Sequence, residues 1–219
     1  QSIIRTFKKK CIDIGYLDEY ITIQINDTHP TLVIPELMRI LMDEEGLSWD
    51  DAWGITTRTI AYTNHTIMPE ALEKWPVDLF KKLLPRIFRI IEEINERFCR
   101  ELWNRYEGDW DRISRMAIVA DGYIKMAHLA VVGSKSVNGV AKIHTEILKK
   151  QVMSDFYYYF PYKFNNKTNG VTHRRWLMMA NPKLSNLITE GIGLGWTRHP
   201  EDLIQLKKYA RDGSFLKEL

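Results

Sequence analysis

The sequence predicts a helix-rich α/β protein, and three observations point there. Ile21, Ile23 and Ile25 alternate with Thr22 and Gln24, the period-two pattern of a half-covered strand rich in β-branched residues. That strand empties into a helix. Asn26, Asp27 and Thr28 favour turns and N-caps, and Pro30 suits a first helical turn, where its missing N–H is not needed. From Pro85 onward, Ile87, Ile91, Ile94, Phe98 and Leu102 share one helical face, with Arg89, Glu93, Glu96 and Arg100 opposite. In open α/β sheets, ligands gather outside the carboxyl ends of the strands. The cluster Asn26, Asp27 and His29 is therefore the first candidate site.

Taken in order, residues 1–10 read as the end of a helix with cations in its last turn. A loop through Gly15 leads to the strand. Between Pro30 and Asp43, Leu32, Ile34, Leu37, Met38, Leu41 and Met42 recur at helical spacing, and Gly46 ends that helix. Ser48-Trp-Asp-Asp51 resembles a capping box with Asp in place of Glu, opening a helix to about Ala61. Tyr62–Thr66 then reads as a well-bonded loop, punctuated later by Trp75-Pro76. A short helix covers 78–84 before the amphipathic one, which reads as scaffold. Gly108-Asp-Trp-Asp starts another helical turn. Met126–Val132, stopped by Gly133-Ser134, reads as a buried strand. Asn138-Gly139 leads into a helix bearing Val140, Ile143, Ile147 and Leu148. Phe164–Gly170 reads as extended, and Arg174–Leu187 and Pro200–Ala210 as helical. Gly191–Gly195 reads as a C-cap and loop.

Composition narrows the function classes. At 219 residues the chain has room for one large domain or two small ones, with a sizeable core. A hydrophobic content of 45% and a charged content of 27% fit a soluble globular protein. The net charge of +3 is too small to imply nucleic acid or an anionic membrane. Cys11 and Cys99 make no disulfide framework, and reduced thiols in a cytoplasmic protein are expected. No apolar run approaches the roughly 20 residues of a membrane span, and no secretory signal is present. The chain opens at Gln1 and closes in a helix-like segment, which suggests a piece of something longer.

Four long stretches resemble the glycogen/starch/maltodextrin phosphorylase family. They are Gln24–Arg39 (QINDTHPTLVIPELMR), Ala61–Pro76 (AYTNHTIMPEALEKWP), Val137–Leu148 (VNGVAKIHTEIL) and Lys167–Trp176 (KTNGVTHRRW), in the family's order. The resemblance runs from about Tyr20 on; residues 1–19 match only loosely. It implies part of a two-domain GT-B type glycosyltransferase fold, a Rossmann-like N-terminal domain plus the domain junction. Residues 1–169 would be the C-terminal part of the glucan-binding domain, and 170–219 the start of the cofactor-binding domain. It also implies reversible phosphorolysis of α-1,4-glucans to glucose 1-phosphate. Pyridoxal phosphate would act in the parent through its phosphate group, as a proton relay to the substrate phosphate. Partners would be glycogen, starch or maltodextrin together with phosphate, and the parent would be a homodimer. No segment resembles the family's cofactor lysine or its phosphate-clamping loop, so this chain alone is expected to lack both activity and cofactor.

Each candidate residue has a plain rival. Asp27 and His29 form a carboxylate–imidazole pair that can bind sugar hydroxyls, or a helix N-cap pair. The resemblance implies that both face the glucan, His29 on the acceptor side. A lone His65 is ordinarily structural. The resemblance makes it the residue whose imidazole reaches the 6-hydroxyl of the transferred glucose, with its backbone carbonyl near the anomeric carbon. A fixed carbonyl dipole there would stabilise an oxocarbenium-like state. Glu70 and Glu73 lie at i and i+3, which one helical turn would place on one face. Solvated charges are the rival, and the resemblance brings Glu73 to the sugar. Asn169-Gly170 is a turn signal, while the resemblance makes Asn169 a second partner of the 6-hydroxyl and Gly170 the domain handover. Arg174, Arg175 and Trp176 would lie near pyridoxal phosphate, against surface cations and a core indole. Val140 would pack on the sugar, against simple core packing. His128 and His144 lack partners at metal-ligand spacing, so no metal is expected. Two other classes stay open: a glycoside hydrolase pairing Asp27 with Glu70 or Glu73, and a non-catalytic helical binding module.

Overall fold

A computed structural model describes residues 1–219, the side chain of His173 excepted. The chain divides into two compact units, 1–168 and 169–219. The first opens with α1 (Ser2–Lys8) and α2 (Leu17–Tyr20), then β1 (Ile23–Asn26), α3 (Val33–Arg39), α4 (Trp49–Thr59) and β2 (Ile60–Thr63). Next come β3 (Lys74–Pro76), α5 (Val77–Leu83), α6 (Pro85–Arg105), α7 (Trp110–Met116), β4 (Val119–Ala120) and β5 (Tyr123–Lys125). It closes with α8 (Met126–Val132), β6 (Ser136–Gly139), α9 (Lys142–Ile147), α10 (Ser154–Tyr159) and β7 (Phe164–Asn166). This is the predicted helix-rich α/β architecture.

Strands β1, β2, β6 and β7 form one parallel sheet in that order. Parallel neighbours need long crossovers, and the helices between them cover the sheet. The core joins Ile25, Ile60, Tyr62, Val137 and Phe164 from the strands to Ile34, Met38, Ile91 and Leu102 from the helices. A second small antiparallel sheet runs β3-β5-β4. Its β4–β5 hairpin turns on Asp121 (φ 54°) and Gly122 (φ 78°), the positive pair of a two-residue primed turn.

Several expectations need correction. Pro30 does not open the helix. Residues 28–32 form tight turns, with Thr31 N–H donating to Thr28 C=O at 3.0 Å, and α3 begins at Val33. Tyr62 and Thr63 are not loop but the end of β2, and α4 stops at Thr59 rather than Ala61. Ile60, Ala61 and Tyr62 are all buried, so no polar residue alternates to announce a strand. Trp75-Pro76 belongs to β3, and Asn138-Gly139 ends β6; the helix it leads into begins at Lys142, so Val140 lies ahead of it. Met126–Val132 is a helix, not a strand. Apart from His128 its residues are all buried, and a helix covered all round loses its amphipathic period.

Helix α8 is held at its end by a cation. Lys163 is buried, and its ammonium donates to the carbonyls of Val131 and Val132 at 3.0 Å each, where the helix dipole is negative. Burial pushes Lys163 down to about 7, against the opposing pull of Glu101. The Gly46 stop is found as expected, at φ +73°. Ser48 caps α4 by accepting from Asp51 N–H at 3.2 Å, while Asp51 returns to the Ser48 hydroxyl rather than to its backbone.

In the second unit, the expected helix over Arg174–Leu187 is two helices, α11 (His173–Ala180) and α12 (Pro182–Ile192). Asn181-Pro182 divides them, since Asn181 Oδ1 caps Leu184 N–H at 3.2 Å and proline fills the first helical position. Gly193 ends α12 at φ +79°. Residues Pro200–Tyr209 form a 3-10 helix, followed by α13 (Gly213–Glu218). Buried Trp196 donates to the Thr189 hydroxyl at 3.1 Å, and Tyr209 stacks on Phe215. No helix among the described residues is long and apolar enough to cross a membrane.

His128 ties α8 to the strand region below it. Its Nδ1–H donates to Ala117 C=O at 3.0 Å, its ring meets Phe156, and burial pushes its pKa down to about 4. The unfolded chain therefore binds this proton more tightly between about 4 and 6.5. Stability from His128 is complete above 6.5 and lost as pH falls through that window. Urea unfolding at stepped pH should show wild type losing on the order of 3 kcal/mol relative to His128→Leu across it. A pH-independent difference between the two would contradict a neutral imidazole held against Phe156.

Candidate functional site

All four strands of the larger sheet end at one edge; β1, β2 and β7 end in Asn26, Thr63 and Asn166, and β6 ends in Asn138-Gly139. The register sets Asn26 beside Thr63, Thr63 beside Asn138, and Asn138 beside Asn165. Side chains extend the ladder across the strands. Gln24 Nε2 donates to Thr63 Oγ1 at 2.7 Å, and Thr63 Oγ1 donates to Asn138 Oδ1 at 2.9 Å. The backbone pairing continues just past the strands, with Asp27 N–H on Thr63 C=O at 2.8 Å and Asn64 N–H on Asn138 C=O at 2.9 Å.

Asp27 leaves β1 in the left-handed region, at φ 62°. For a residue with a Cβ that conformation costs about 1–2 kcal/mol. Two hydrogen bonds hold it there: its N–H to Thr63, and its Oδ1 accepting from Thr28 N–H at 2.7 Å. The Thr28 hydroxyl then donates to Glu73 Oε2 at 2.8 Å, and Trp75 Nε1–H donates to Glu73 Oε1 at 2.8 Å. His29, Glu73, Trp75, Leu79 and Leu83 line a neighbouring cavity of about 230 Å³. Glu70 is not part of this group. It stands exposed on the single 3-10 turn Pro69–Ala71, and Glu73 lies beyond that turn, so the expected shared helical face does not form.

His65 follows β2 with an exposed imidazole whose Nε2 meets the Asn26 side-chain oxygen. Asn64 beneath it is buried and donates to the Tyr62 hydroxyl at 2.9 Å. Burial raises the Tyr62 phenol above its ordinary range. His144 lies near enough to His65 to feel its charge. Its Nδ1 accepts from Val140 N–H at 3.1 Å, so its own proton sits on Nε2, which is buried without a protein partner. Burial first, and the charge of His65 second, push His144 below its usual range. Val140 precedes α9 rather than riding on it. Gly139 permits this approach: a Cβ there would lie 2.5 Å from Thr145 Oγ1 and 2.8 Å from His144 Nδ1.

Asp27, His29, Glu73, His65 and Val140 thus gather at the carboxyl edge of the sheet. Asn169 is exposed and opens the second unit, and Arg175 and Trp176 are exposed on α11. Sequence reasoning missed Thr28, Trp75 and His144, whose partners lie elsewhere in the chain or in an unforeseen backbone path. The nearest signal was the histidine four residues after Val140. No group of three or more His, Cys, Asp or Glu among the described residues is arranged to hold a metal ion. The edge offers amides, hydroxyls, imidazoles and two carboxylates around an open surface, a donor–acceptor mixture suited to polyhydroxylated ligands.

A family model described as carbohydrate phosphorylase matches residues 1–219. The glycogen phosphorylase of Bacillus subtilis (strain 168) is 60% identical over 218 residues, covering 100% of this chain and 27% of that protein. The muscle forms of glycogen phosphorylase from Bos taurus and Homo sapiens are 50% and 49% identical over 230 residues, again 100% of this chain and 27% of theirs. The chain therefore spans about a quarter of the length of the curated relatives it matches.

Gly139→Ala should lose about 1–3 kcal/mol of unfolding free energy in urea, because Thr145 and its helix must move. For the imidazoles, ¹H–¹⁵N titration should give His144 a lower pKa in the wild type than in His65→Ala, because removing the neighbouring charge relaxes His144 upward. An unchanged His144 titration would separate the two rings.

Proposed function

The chain belongs to the carbohydrate phosphorylase family, and on that premise we propose that it forms one wall of the sugar site of an α-1,4-glucan phosphorylase. The parent enzyme transfers the terminal glucose of glycogen, starch or maltodextrin to phosphate, reversibly, giving glucose 1-phosphate and a glucan one unit shorter. The observation that carries this reading is His65. It follows the end of a central parallel strand, meets the Asn26 side chain and lies within reach of the His144 ring, with Asp27 and Val140 just past the adjoining strand ends.

In this reading the His65 imidazole binds the 6-hydroxyl of the transferred glucose, and its backbone carbonyl faces the anomeric carbon. That dipole is fixed before reaction, so it stabilises developing positive charge without reorganising. Asp27, His29 and Glu73 bind hydroxyls on the same wall, His29 towards the acceptor, and Val140 packs against the ring. Asn169 supplies its amide as a second partner to the 6-hydroxyl. Residues 1–169 are assigned to the glucan-binding domain and 170–219 to the start of the cofactor-binding domain, a reading supported by the division after Thr168. The parent is read as a cytoplasmic homodimer.

Pyridoxal phosphate belongs to the parent, held by a lysine outside these residues. Within the second unit, Arg175 and Trp176 present a cation and an indole side by side, but both are exposed on α11 and enclose nothing. These residues by themselves do not fit a cofactor cradle, and no step is derived through one. The hydrolase reading is weaker than phosphorolysis. Both Glu73 oxygens are already engaged, and Glu70 stands apart from it.

In a full-length phosphorylase carrying this segment, His65→Ala removes the imidazole but keeps the backbone carbonyl, and should lower kcat/KM for phosphorolysis by roughly 10–10². Free glucose released equally well without phosphate would instead indicate a hydrolase. The 219-residue chain alone should release no glucose 1-phosphate. Maltooligosaccharide binding to it that is indifferent to His65→Ala would favour a non-catalytic binding module.

A further inference from the structure

We propose that Thr28 and Trp75 are positioning residues that hold the Glu73 carboxylate in a single orientation at the lip of the site, a role that rests on the reading of Glu73 as sugar-facing. A glutamate carboxylate turns freely about its last torsion, where the energy wells are broad. Here each oxygen is engaged by a different donor, the Thr28 hydroxyl at 2.8 Å and the Trp75 indole N–H at 2.8 Å. Indole nitrogen can only donate, so that bond has one sense.

The donors are themselves fixed. Thr28 is buried, with 4% of its surface exposed, and its backbone N–H is taken by Asp27. Its branched side chain has restricted χ1 freedom. Trp75 is set in β3 between strand pairing with Ile124 and a tilted contact with Phe80. The Glu73 backbone is pinned as well, its carbonyl accepting from Met126 N–H at 3.0 Å. Each carboxylate oxygen keeps one further acceptor site, and those remaining sites are what a sugar hydroxyl would meet. The same links join Asp27 to Glu73 through Thr28, so one network places the two carboxylates, its Thr28–Glu73 bond spanning 45 residues of chain.

The test has two arms. In the 219-residue chain, Glu73→Ala should move the Trp75 indole N–H resonance upfield, while Trp75→Phe identifies that resonance and keeps the ring in place. In a full-length phosphorylase carrying the segment, Thr28→Val and Trp75→Phe should each raise KM for maltooligosaccharide about tenfold with kcat nearly unchanged, and Thr28→Ser should restore it. Should Thr28→Val fail to fold, Trp75→Phe alone decides the kinetics. An indole resonance indifferent to Glu73→Ala overturns the clamp, as does a wild-type KM in Trp75→Phe beside a raised KM in Glu73→Ala. If the resonance moves but Glu73→Ala itself keeps wild-type kinetics, it is the sugar-facing reading of Glu73 that fails.

Discussion

Because β1, β2 and β6 run parallel and in one register, their carboxyl ends are forced to a common edge, and everything proposed for the site follows from that. An antiparallel arrangement would send alternate strand ends to opposite sides. The parallel one stacks Asn26, Thr63 and Asn138 side by side and lets hydroxyls and amides bridge them. The bridging bonds also satisfy polar groups that would otherwise be buried unpaired, each at a penalty of about 1–3 kcal/mol. The edge is thus polar and ordered before any ligand arrives.

That order has a local cost. Asp27 takes a backbone conformation few side-chain-bearing residues adopt, and Gly139 gives up its side chain so that His144 and Thr145 can close in. Both positions sit where strands hand over to loops, the part of an α/β sheet where function concentrates. Neither would be chosen for stability alone. The surrounding hydrogen bonds, Asp27 to Thr63 and Val140 to His144, are what make these conformations persist.

Legibility in the sequence followed whether a signal was local. The β1 alternation, the α6 apolar face and the Gly46 stop depend on neighbours in the chain, and all three appear close to where periodicity and turn chemistry put them. β2 and α8 escaped for a shared reason. Each is covered on every side, so the contrast between wet and dry faces that identifies a strand or helix is missing. The Asp121-Gly122 turn carried a hairpin signal that went unused. The site shows the same division. Asp27 and His29 could be picked out beside a strand end, but the ties from Asn26 to His65 and from Thr28 to Glu73 span 39 and 45 residues. No pattern within a window shows such pairings. They needed either a known family or the fold.

Lys163 carries a mechanical consequence. By gripping the last carbonyls of α8 from the residue before β7, it fastens the outermost parallel strand to a helix deep in the core. An edge strand of three residues would ordinarily be prone to fray. Here the strand is riveted at its start, and Lys167 N–H still donates to Gly139 C=O at 3.1 Å past its end, so the last stretch of the first unit resists peeling from the sheet.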